Sequence, residues 1–178
     1  MRRIITISVL CAAILPVAAY AEGHAEGHAD AHAEGHAANF VSVSASTLTS
    51  GPSSTGAAIA VGHRYNEHLA IEVAYDDAGA LKAAPERTTA FSVAAIGSVP
   101  FNANFEGYVR LGYASAHTKG EEGATANHGD ITYGFGVEYR VNGKYSVGLG
   151  WNRIRIGDNI DIPRANENSY ALSVVRSF

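Results

Sequence analysis

The sequence is nearly without cysteine, and its single thiol, Cys11, lies in an apolar run close to the N-terminus. The basic pair Arg2-Arg3 precedes this run, which extends from Ile4 to Ala18, and the small-x-small sequence Ala19-Tyr20-Ala21 follows it. A basic start, a short apolar core and a small-residue cleavage site are typical of a secretory signal peptide. Residues 1–21 are therefore predicted to be removed, which leaves a chain without disulfides or thiol chemistry.

Long hydrophobic runs are also missing. No apolar stretch after residue 21 approaches the ~18 residues of a membrane-spanning helix. The signal run itself is too short for an anchor, because it has roughly 15 apolar residues and is interrupted by Pro16. A lipoprotein signal is not indicated either, since Leu10 precedes Cys11 where a small residue is needed. Any membrane crossing must therefore be made by β-strands.

Basic residues are in the minority. The chain has 13 Lys and Arg against 17 Asp and Glu, and removal of Arg2 and Arg3 leaves 11 basic residues and a net charge of −6. Nucleic acid is therefore not an expected partner, because its binding requires a basic face. The ~157 residues that remain after cleavage correspond to one domain.

Residues 22–38 are predicted to be a disordered, low-complexity segment. Residues 22–37 read EGHA, EGHA, DAHA, EGHA and offer nothing that could build a core. One interpretation is a solvated tether. The other is metal binding by the histidines, which recur at every fourth position: His24, His28, His32 and His36.

From residue 39 onward the chain repeats a single pattern, in which apolar residues alternate with small or polar ones between turn signals. Each segment has about the 9–11 residues that a tilted strand needs to cross a bilayer. Large apolar side chains on the outer face and Gly, Ser, Ala and charges on the inner face are typical of a membrane barrel. The predicted fold over residues 39–178 is all-β, an eight-stranded antiparallel transmembrane β-barrel. Its strands are expected near residues 39–48, 57–65, 69–77, 88–99, 104–116, 130–140, 144–155 and 169–178.

Connection lengths alternate along the predicted barrel. Short turns are expected at residues 66–68, around Pro100 and at 141–143, and long loops at 48–56, 78–87, 117–129 and 156–168. This asymmetry predicts periplasmic turns, extracellular loops and periplasmic termini. Aromatic residues of the outer face also gather at both strand ends, which predicts two interfacial girdles. One girdle contains Tyr65, Phe105, Tyr139, Tyr145 and Phe178, and the other contains Tyr75, Phe91, Tyr113, Tyr133, Trp151 and Tyr170.

The apolar residues of neighbouring strands must lie on the same face of the sheet, and this requirement also predicts the hairpin registers. A three-residue loop ending in Gly143 at positive φ would place Tyr139 opposite Tyr145, and the turn at 66–68 would place Tyr65 opposite Leu69.

The inner face is predicted to carry three charges of each sign and to form a closed or water-poor lumen, because buried charges must be paired. We expect Arg64 to lie diagonal to Glu72 and Glu106 to face Arg140. The six inward charges are Arg64, Glu72, Glu106, Arg110, Glu138 and Arg140.

The sequences YGFGVEYRVNGKYSVGLGW at 133–151 and SYALSVVRSF at 169–178 resemble the OmpA-like, porin-family small barrels of the outer membrane. The resemblance covers roughly residues 39–178. It implies eight strands, a location in the cell outer membrane, and a role in envelope integrity, adhesion or surface contact. It also implies outer-membrane lipid and lipopolysaccharide as surroundings, barrel assembly machinery that reads the strand ending in Phe178, and a monomer.

The expected function is non-enzymatic and resides in the long loops. The likeliest contact residues are Lys119, Glu121, Glu122 and His128 in the third loop, and Asp158, Asp161, Arg164 and Glu167 in the fourth. Two alternatives stay open: a lipid A deacylase or acyltransferase, and a small ion-conducting pore. The histidines His63, His68, His117 and His128 show no His-x-Ser pattern on a rim strand, which favours the non-enzymatic prediction.

Cleavage after Ala21 would begin the mature chain with Glu22-Gly23-His24, whose amine, two backbone amides and imidazole suit Cu(II) or Ni(II). The other histidines would take further ions, Zn(II) included. We expect His24→Ala to abolish tight Cu(II) binding and leave weaker binding that is lost below about pH 6, as imidazoles protonate near their ordinary pKa. Mass spectrometry of the mature N-terminus followed by Cu(II) titration checks this. A start at another residue, or unchanged tight binding, would contradict it.

Overall fold

The structure is a computed structural model that describes residues 38–48, 55–81, 84–119, 125–156 and 165–178. The predicted signal peptide and most of the His-rich segment lie outside these residues. Each strand is antiparallel to its neighbours, and β8 pairs with β1, so the sheet closes into the predicted eight-stranded barrel. The strands are β1 Ala38–Leu48, β2 Thr55–Asn66, β3 Leu69–Leu81, β4 Ala84–Pro100, β5 Phe105–Lys119, β6 Thr125–Arg140, β7 Tyr145–Ile156 and β8 Ala165–Ser177.

None of the described residues forms a helix of the length and apolarity that spanning a membrane requires.

The burial of the side chains is inverted relative to a water-soluble domain. On β5, the apolar residues Val109 and Leu111 are 63% and 62% exposed, whereas the small residue Ala114 on the opposite face is 2% exposed. The same alternation holds on β2 and β4, where Val61 and Val93 are exposed and Ala60 and Ala94 are buried. Transfer of each large side chain from water to lipid is worth ~1.5–3 kcal/mol, so this outer face is stable only in contact with lipid.

The outward aromatic side chains gather near the two rims, as predicted. Near one rim the rings of Phe105 and Tyr139 lie 4.8 Å apart. Toward the other rim the ring of Trp151 lies 5.9 Å from Tyr133 and 5.2 Å from Phe135. Aromatic rings prefer the membrane interface, so these contacts place the boundaries of the apolar band near the strand ends.

Three short turns close one end of the barrel, here called the short-turn end, and each is built around an asparagine. The Asn66 side chain accepts hydrogen bonds from the backbone N–H groups of the second and third residues that follow it, at 2.8 and 2.9 Å. Asn102 and Asn142 accept the corresponding pairs at 2.9 and 3.0 Å and at 2.8 and 2.9 Å. These side chains satisfy amides at the turns where the chain leaves the sheet.

This turn geometry makes the predicted register wrong at the 141–143 turn, and at the 66–68 turn only in the last pair, since the predicted pairs of Arg64 with Ala70 and Gly62 with Glu72 are present. Tyr139 pairs with Val147 instead of Tyr145, and Arg140 pairs with Ser146, so the register is displaced by two residues at the turn that Asn142 holds. Gly143 does not adopt a left-handed φ. At the first turn Asn66, rather than Tyr65, pairs with Leu69, because the ladder shifts between Arg64 and Asn66. Face parity is preserved in both cases.

At the opposite end, here called the long-loop end, two hairpins extend farther than predicted. Much of the expected loop regions 78–87 and 117–129 is strand, since β3 and β4 continue to Leu81 and Ala84, and β5 and β6 to Lys119 and Thr125. The predicted strand ends were placed where the alternation of apolar residues stops. The backbone ladder does not need an apolar face, so the pairing continues beyond the lipid-facing segment.

One aromatic ring lies along the lumen wall. Tyr108 points inward from β5, and a Cβ added at Gly136, its partner on β6, would lie 2.5 Å from its hydroxyl and 2.6 Å from its Cζ. The same hydroxyl also lies over Gly150 on β7. Tyr108 therefore packs directly on the glycine backbone of the two strands that follow β5.

We expect Gly136→Ala to lower the free energy of unfolding by about 1–3 kcal/mol, because the added methyl group overlaps Tyr108 and the Leu149 carbonyl oxygen. The control is Gly97→Ala on the outer face, where the new Cβ would lie 3.4 Å from Val109 Cγ2, an ordinary contact. Urea unfolding in phospholipid vesicles, followed by the fluorescence of the sole tryptophan, Trp151, measures both changes. Equal effects of the two substitutions would contradict the packing of Tyr108 on Gly136.

Candidate functional site

The lumen is the enclosed polar space of this barrel. Strand parity directs small and polar side chains into it, and a cavity of about 190 Å³ lies among them. Serines from β1, alanines from β2 to β5 and glycines from β6 and β7 leave this space open. Charged side chains enter it from β2, β3, β5 and β6.

Two arginines hold one buried carboxylate near the short-turn end. Arg64 on β2 donates to Glu106 on β5 through Nη2–Oε1 at 3.0 Å and Nη1–Oε2 at 3.4 Å. Arg140 on β6 donates to Glu106 Oε2 at 3.4 Å. Glu106 is 7% exposed, so it is well shielded from water. Because β2 and β5 are not neighbouring strands, the pair between Arg64 and Glu106 crosses the lumen.

A second ion pair crosses the lumen deeper in the barrel. Arg110 on β5 donates from Nε to Glu72 Oε1 on β3 at 3.0 Å, and from Nη2 to Ser92 Oγ on β4 at 2.9 Å. Both charged side chains are only 13% exposed. The interaction spans the inner surface of β4, which separates the two strands. We refer to this pair and the group formed by Arg64, Glu106 and Arg140 as the lumen ion pairs.

The predicted contact between Glu106 and Arg140 is confirmed. Arg64 also lies diagonal to Glu72 as predicted, since Gly62 pairs with Glu72 and Arg64 with Ala70. The two do not form an ion pair, because the Glu72 carboxylate is paired with Arg110. Arg64 instead reaches across the lumen to Glu106. The prediction considered only adjacent strands, whereas a closed barrel brings distant strands face to face.

Two inward groups were missed in the sequence. Asp76 lies four residues after Glu72 on the inner face of β3, and Tyr108 lies between the inward residues Glu106 and Arg110 on β5. The alternation of inward and outward residues along each strand would have identified both. Tyr108 was overlooked because aromatic residues were expected only on the outer face.

The lumen ion pairs stand in the way of free passage. A hydrated ion that moved through the lumen would come close to Glu106 and its arginines and to Glu72 and Arg110, each in a site with little access to solvent. Removing one member of a buried pair leaves an uncompensated charge, which is strongly unfavourable. Within the described strands, an ion would therefore meet these pairs beside the cavity of about 190 Å³.

The predicted metal ligands His24, His28, His32 and His36 lie outside the described residues. Within the ranges that the structure describes, no cluster of three or more His, Cys, Asp or Glu side chains is placed to hold a metal ion. The predicted loop contacts Glu121, Glu122, Asp158, Asp161 and Arg164 also lie outside these ranges. Lys119, His128 and Glu167 lie on strands whose side chains are not described at those positions.

Three of the remaining histidines have defined partners. The ring of His63 lies on the outer face with Nδ1 2.9 Å from Asn39 Oδ1, and that of His117 has Nδ1 2.6 Å from Asn127 Oδ1. His68 Nδ1 lies 3.1 Å from the Ser98 carbonyl oxygen. None of these partners is a hydroxyl group that the imidazole could activate as a nucleophile.

Comparison with known proteins gives a consistent classification. The model of a family described as "Outer membrane protein beta-barrel domain" matches residues 7–178. No curated protein matches the chain in sequence.

Several solved barrels resemble the structure. The N-terminal β-barrel domain of Pseudomonas aeruginosa OprF aligns with a TM-score of 0.60 and 14% identity, over 80% of this chain and 100% of that one. Neisserial surface protein A aligns with a TM-score of 0.55 and 20% identity, over 79% and 95% of the two chains. Ail, the attachment invasion locus protein of Yersinia pestis, aligns with a TM-score of 0.51 and 13% identity, over 82% and 99%. At these identities the likeness shows the fold alone.

We expect Glu106→Gln to lower the free energy of unfolding by about 3 kcal/mol, because two guanidinium groups lose their shared counterion. The control is Glu67→Gln in the first short turn, where the ion pair with His68 is 61% exposed on both sides and its loss should cost less than ~0.5 kcal/mol. Urea unfolding in phospholipid vesicles measures both substitutions. If the two variants unfolded at the same urea concentration, the role assigned to the lumen ion pairs would be wrong.

Proposed function

The chain belongs to the outer membrane protein β-barrel family and lies in the outer membrane, and on this premise we propose that it is a non-enzymatic, closed scaffold for surface interaction and envelope integrity. The proposal rests on one observation: two ion pairs, Arg64–Glu106 and Arg110–Glu72, join non-neighbouring strands inside the barrel. A barrel closed inside has its accessible chemistry at its rims and loops.

The extended hairpins favour display of the loops at the cell surface. The β3–β4 and β5–β6 pairs carry the ladder beyond the girdle residues Tyr75, Phe91 and Tyr113 toward loops 82–83 and 120–124. Hydrogen-bonded strands hold a loop in a narrower range of positions than a free connection does, which reduces the entropy lost on binding a partner. Glu121 and Glu122 lie in the second of these loops.

A polar row lies just beyond the girdle on the same side of the barrel. Thr89, His117 and Asn127 pair in sequence across β4 to β6 at one level. The row supplies hydroxyl, imidazole and amide groups at the height expected for lipid headgroups. Such chemistry suits contact with the sugars and headgroups of the surrounding membrane surface and does not require catalysis.

The enzyme and pore alternatives have less support. A lipid A deacylase or acyltransferase would need an imidazole paired with a nucleophile such as a hydroxyl group, and the described partners of His63, His68 and His117 are amide, carbonyl or carboxylate oxygens. A pore would need a continuous aqueous path past the lumen ion pairs. Assembly through the barrel machinery, by recognition of β8, and a monomeric state are parts of the proposal.

Metal binding by the His-rich segment is a second, independent proposal. It rests on the position of His24 after the predicted cleavage site and on the fourfold repeat of His, with Cu(II), Ni(II) or Zn(II) as the ions. β1 begins at Ala38 beside Arg64, so the segment would enter the barrel wall at the short-turn end.

We expect the refolded chain to show no steady conductance at low voltage in a planar bilayer, because the lumen ion pairs close the path. In cells, loss of the gene product should increase sensitivity to detergents or reduce adhesion severalfold, and lipid A should keep its acyl chains. The chain with Glu121→Gln and Glu122→Gln should restore detergent resistance, because the barrel is intact, but restore adhesion less fully than the wild type.

Three outcomes would contradict the proposal. Steady single-channel conductance would indicate a pore, and release of fatty acid from lipid A by the purified chain would indicate an enzyme. Unchanged adhesion and detergent sensitivity in cells without the protein would remove the surface role itself.

A further inference from the structure

We propose that Arg176, on the outer face of the barrel at the short-turn end, binds the phosphodiester of a glycerophospholipid in the periplasmic leaflet. The inference rests on the outer-membrane location of the family and is independent of what the loops contact. It concerns a lipid site on the barrel wall rather than a function of the lumen.

Strand parity places Arg176 on the lipid-facing surface. The lumen side of β8 carries Ser169, Ala171, Ser173 and Val175. Residues of the opposite parity, Tyr170 and Leu172, are both 52% exposed on the outer face. Arg176 shares their parity, so its charged side chain extends from the same face as these apolar residues.

The guanidinium group is directed toward β7. Arg176 pairs with Tyr145 on β7 and with Val41 on β1, and its Cζ lies 5.9 Å from the centroid of the Tyr145 ring. A cation over an aromatic face is weakly favourable and fixes the orientation of the side chain. The ring contact leaves the guanidinium charge without an anionic partner.

No carboxylate of the described residues lies within ion-pairing distance of Arg176. Its Nε atom is buried without a hydrogen-bond partner, so this atom faces the protein and is out of reach of an external ligand. The two Nη atoms are not among the buried atoms that lack a partner, and no side chain of the described residues accepts a hydrogen bond from them. A charged donor without an acceptor is unfavourable, so these outer atoms are open to an acceptor from outside the chain.

The inward arginines show the contrast. Arg64, Arg110 and Arg140 each donate to a glutamate of the lumen. Arg176 has the same chemistry, but no glutamate of the described residues lies within ion-pairing distance of it. Phosphate groups are the anions available at the edge of a lipid leaflet, and the planar guanidinium fork matches two phosphate oxygens.

The terminal carboxylate of Phe178 is an anion close in sequence to Arg176. The backbone of Phe178 is held against β1, because its N–H donates to the Asn39 carbonyl oxygen at 3.0 Å and its own oxygen accepts from Asn39 N–H at 3.1 Å. The Arg176 guanidinium lies toward Tyr145 of β7, on the other side of β8. The surface toward β7 is therefore left for a ligand.

The surroundings fit a headgroup rather than a lipid tail. Tyr145 and Phe178 belong to the girdle that marks the membrane interface. Lys144 precedes Tyr145 in the exposed turn, and its carbonyl oxygen accepts a hydrogen bond from Ser177 N–H at 2.8 Å, which places it beside the end of β8. The long side chain of Lys144 starts from this position, so its ammonium group can reach the same headgroup.

The test uses the full mature chain, refolded in a nonionic detergent and mixed with phosphatidylglycerol as the probe, with lipid complexes counted by native mass spectrometry. We expect Arg176→Gln to reduce the lipid-bound fraction about fivefold or more, in line with loss of a charge-assisted hydrogen bond. Lys144→Gln should reduce it about twofold. The matched control is Arg153→Gln, an outward arginine of β7 beyond Trp151 at the opposite rim, which should leave the bound fraction unchanged.

A second measurement does not depend on the folding of a variant. Titration of the wild-type chain with phosphatidylglycerol should shift the NMR resonance of the Arg176 Nε–H group and leave that of Arg153 in place. Retention of lipid by Arg176→Gln, an equal loss in Arg153→Gln, or an unmoved Arg176 resonance would each overturn the proposal.

Discussion

The structure depends on one constraint: a chain that crosses lipid must pair all its backbone N–H and C=O groups within itself. Closure of β8 onto β1 removes the two free edges that an open eight-stranded sheet would present. Closure also leaves one face toward lipid and one toward the lumen. The period of two in the sequence follows from this, since neighbouring residues must suit opposite environments.

The small diameter of the barrel determines how the interior is filled. Eight strands leave room for side chains but little else, so most inward positions are Ser, Ala or Gly, and the few large groups must be accommodated individually. Tyr108 rests on the backbone at Gly136, and Glu106 is shared between Arg64 and Arg140. The interior is therefore stabilised by a small number of specific contacts. If one of them is lost, few neighbouring side chains can rearrange to replace it.

Much of this fold could be predicted from the sequence because parity is a local property. Eight strands, the identity of the inward charges and the two girdles all follow from alternation. The turns were less predictable, since Asn142 lengthens its hairpin through hydrogen bonds that composition does not reveal. Partners across the lumen could not be predicted at all, because Arg64 and Glu106 are 42 residues apart and meet only when the barrel closes.

The same constraint divides the arginines of the barrel into two chemical classes. An arginine that points inward meets carboxylates from other strands, because the closed sheet concentrates all its inward charges in one narrow space. An outward arginine such as Arg176 meets none, because the outer face must be apolar wherever it contacts lipid tails. Such a residue is tolerated only near a rim, where its charge can reach the interface. An unpaired outward arginine at a girdle therefore indicates that the lipid surface supplies the counterion, since the protein has no face left from which to supply one.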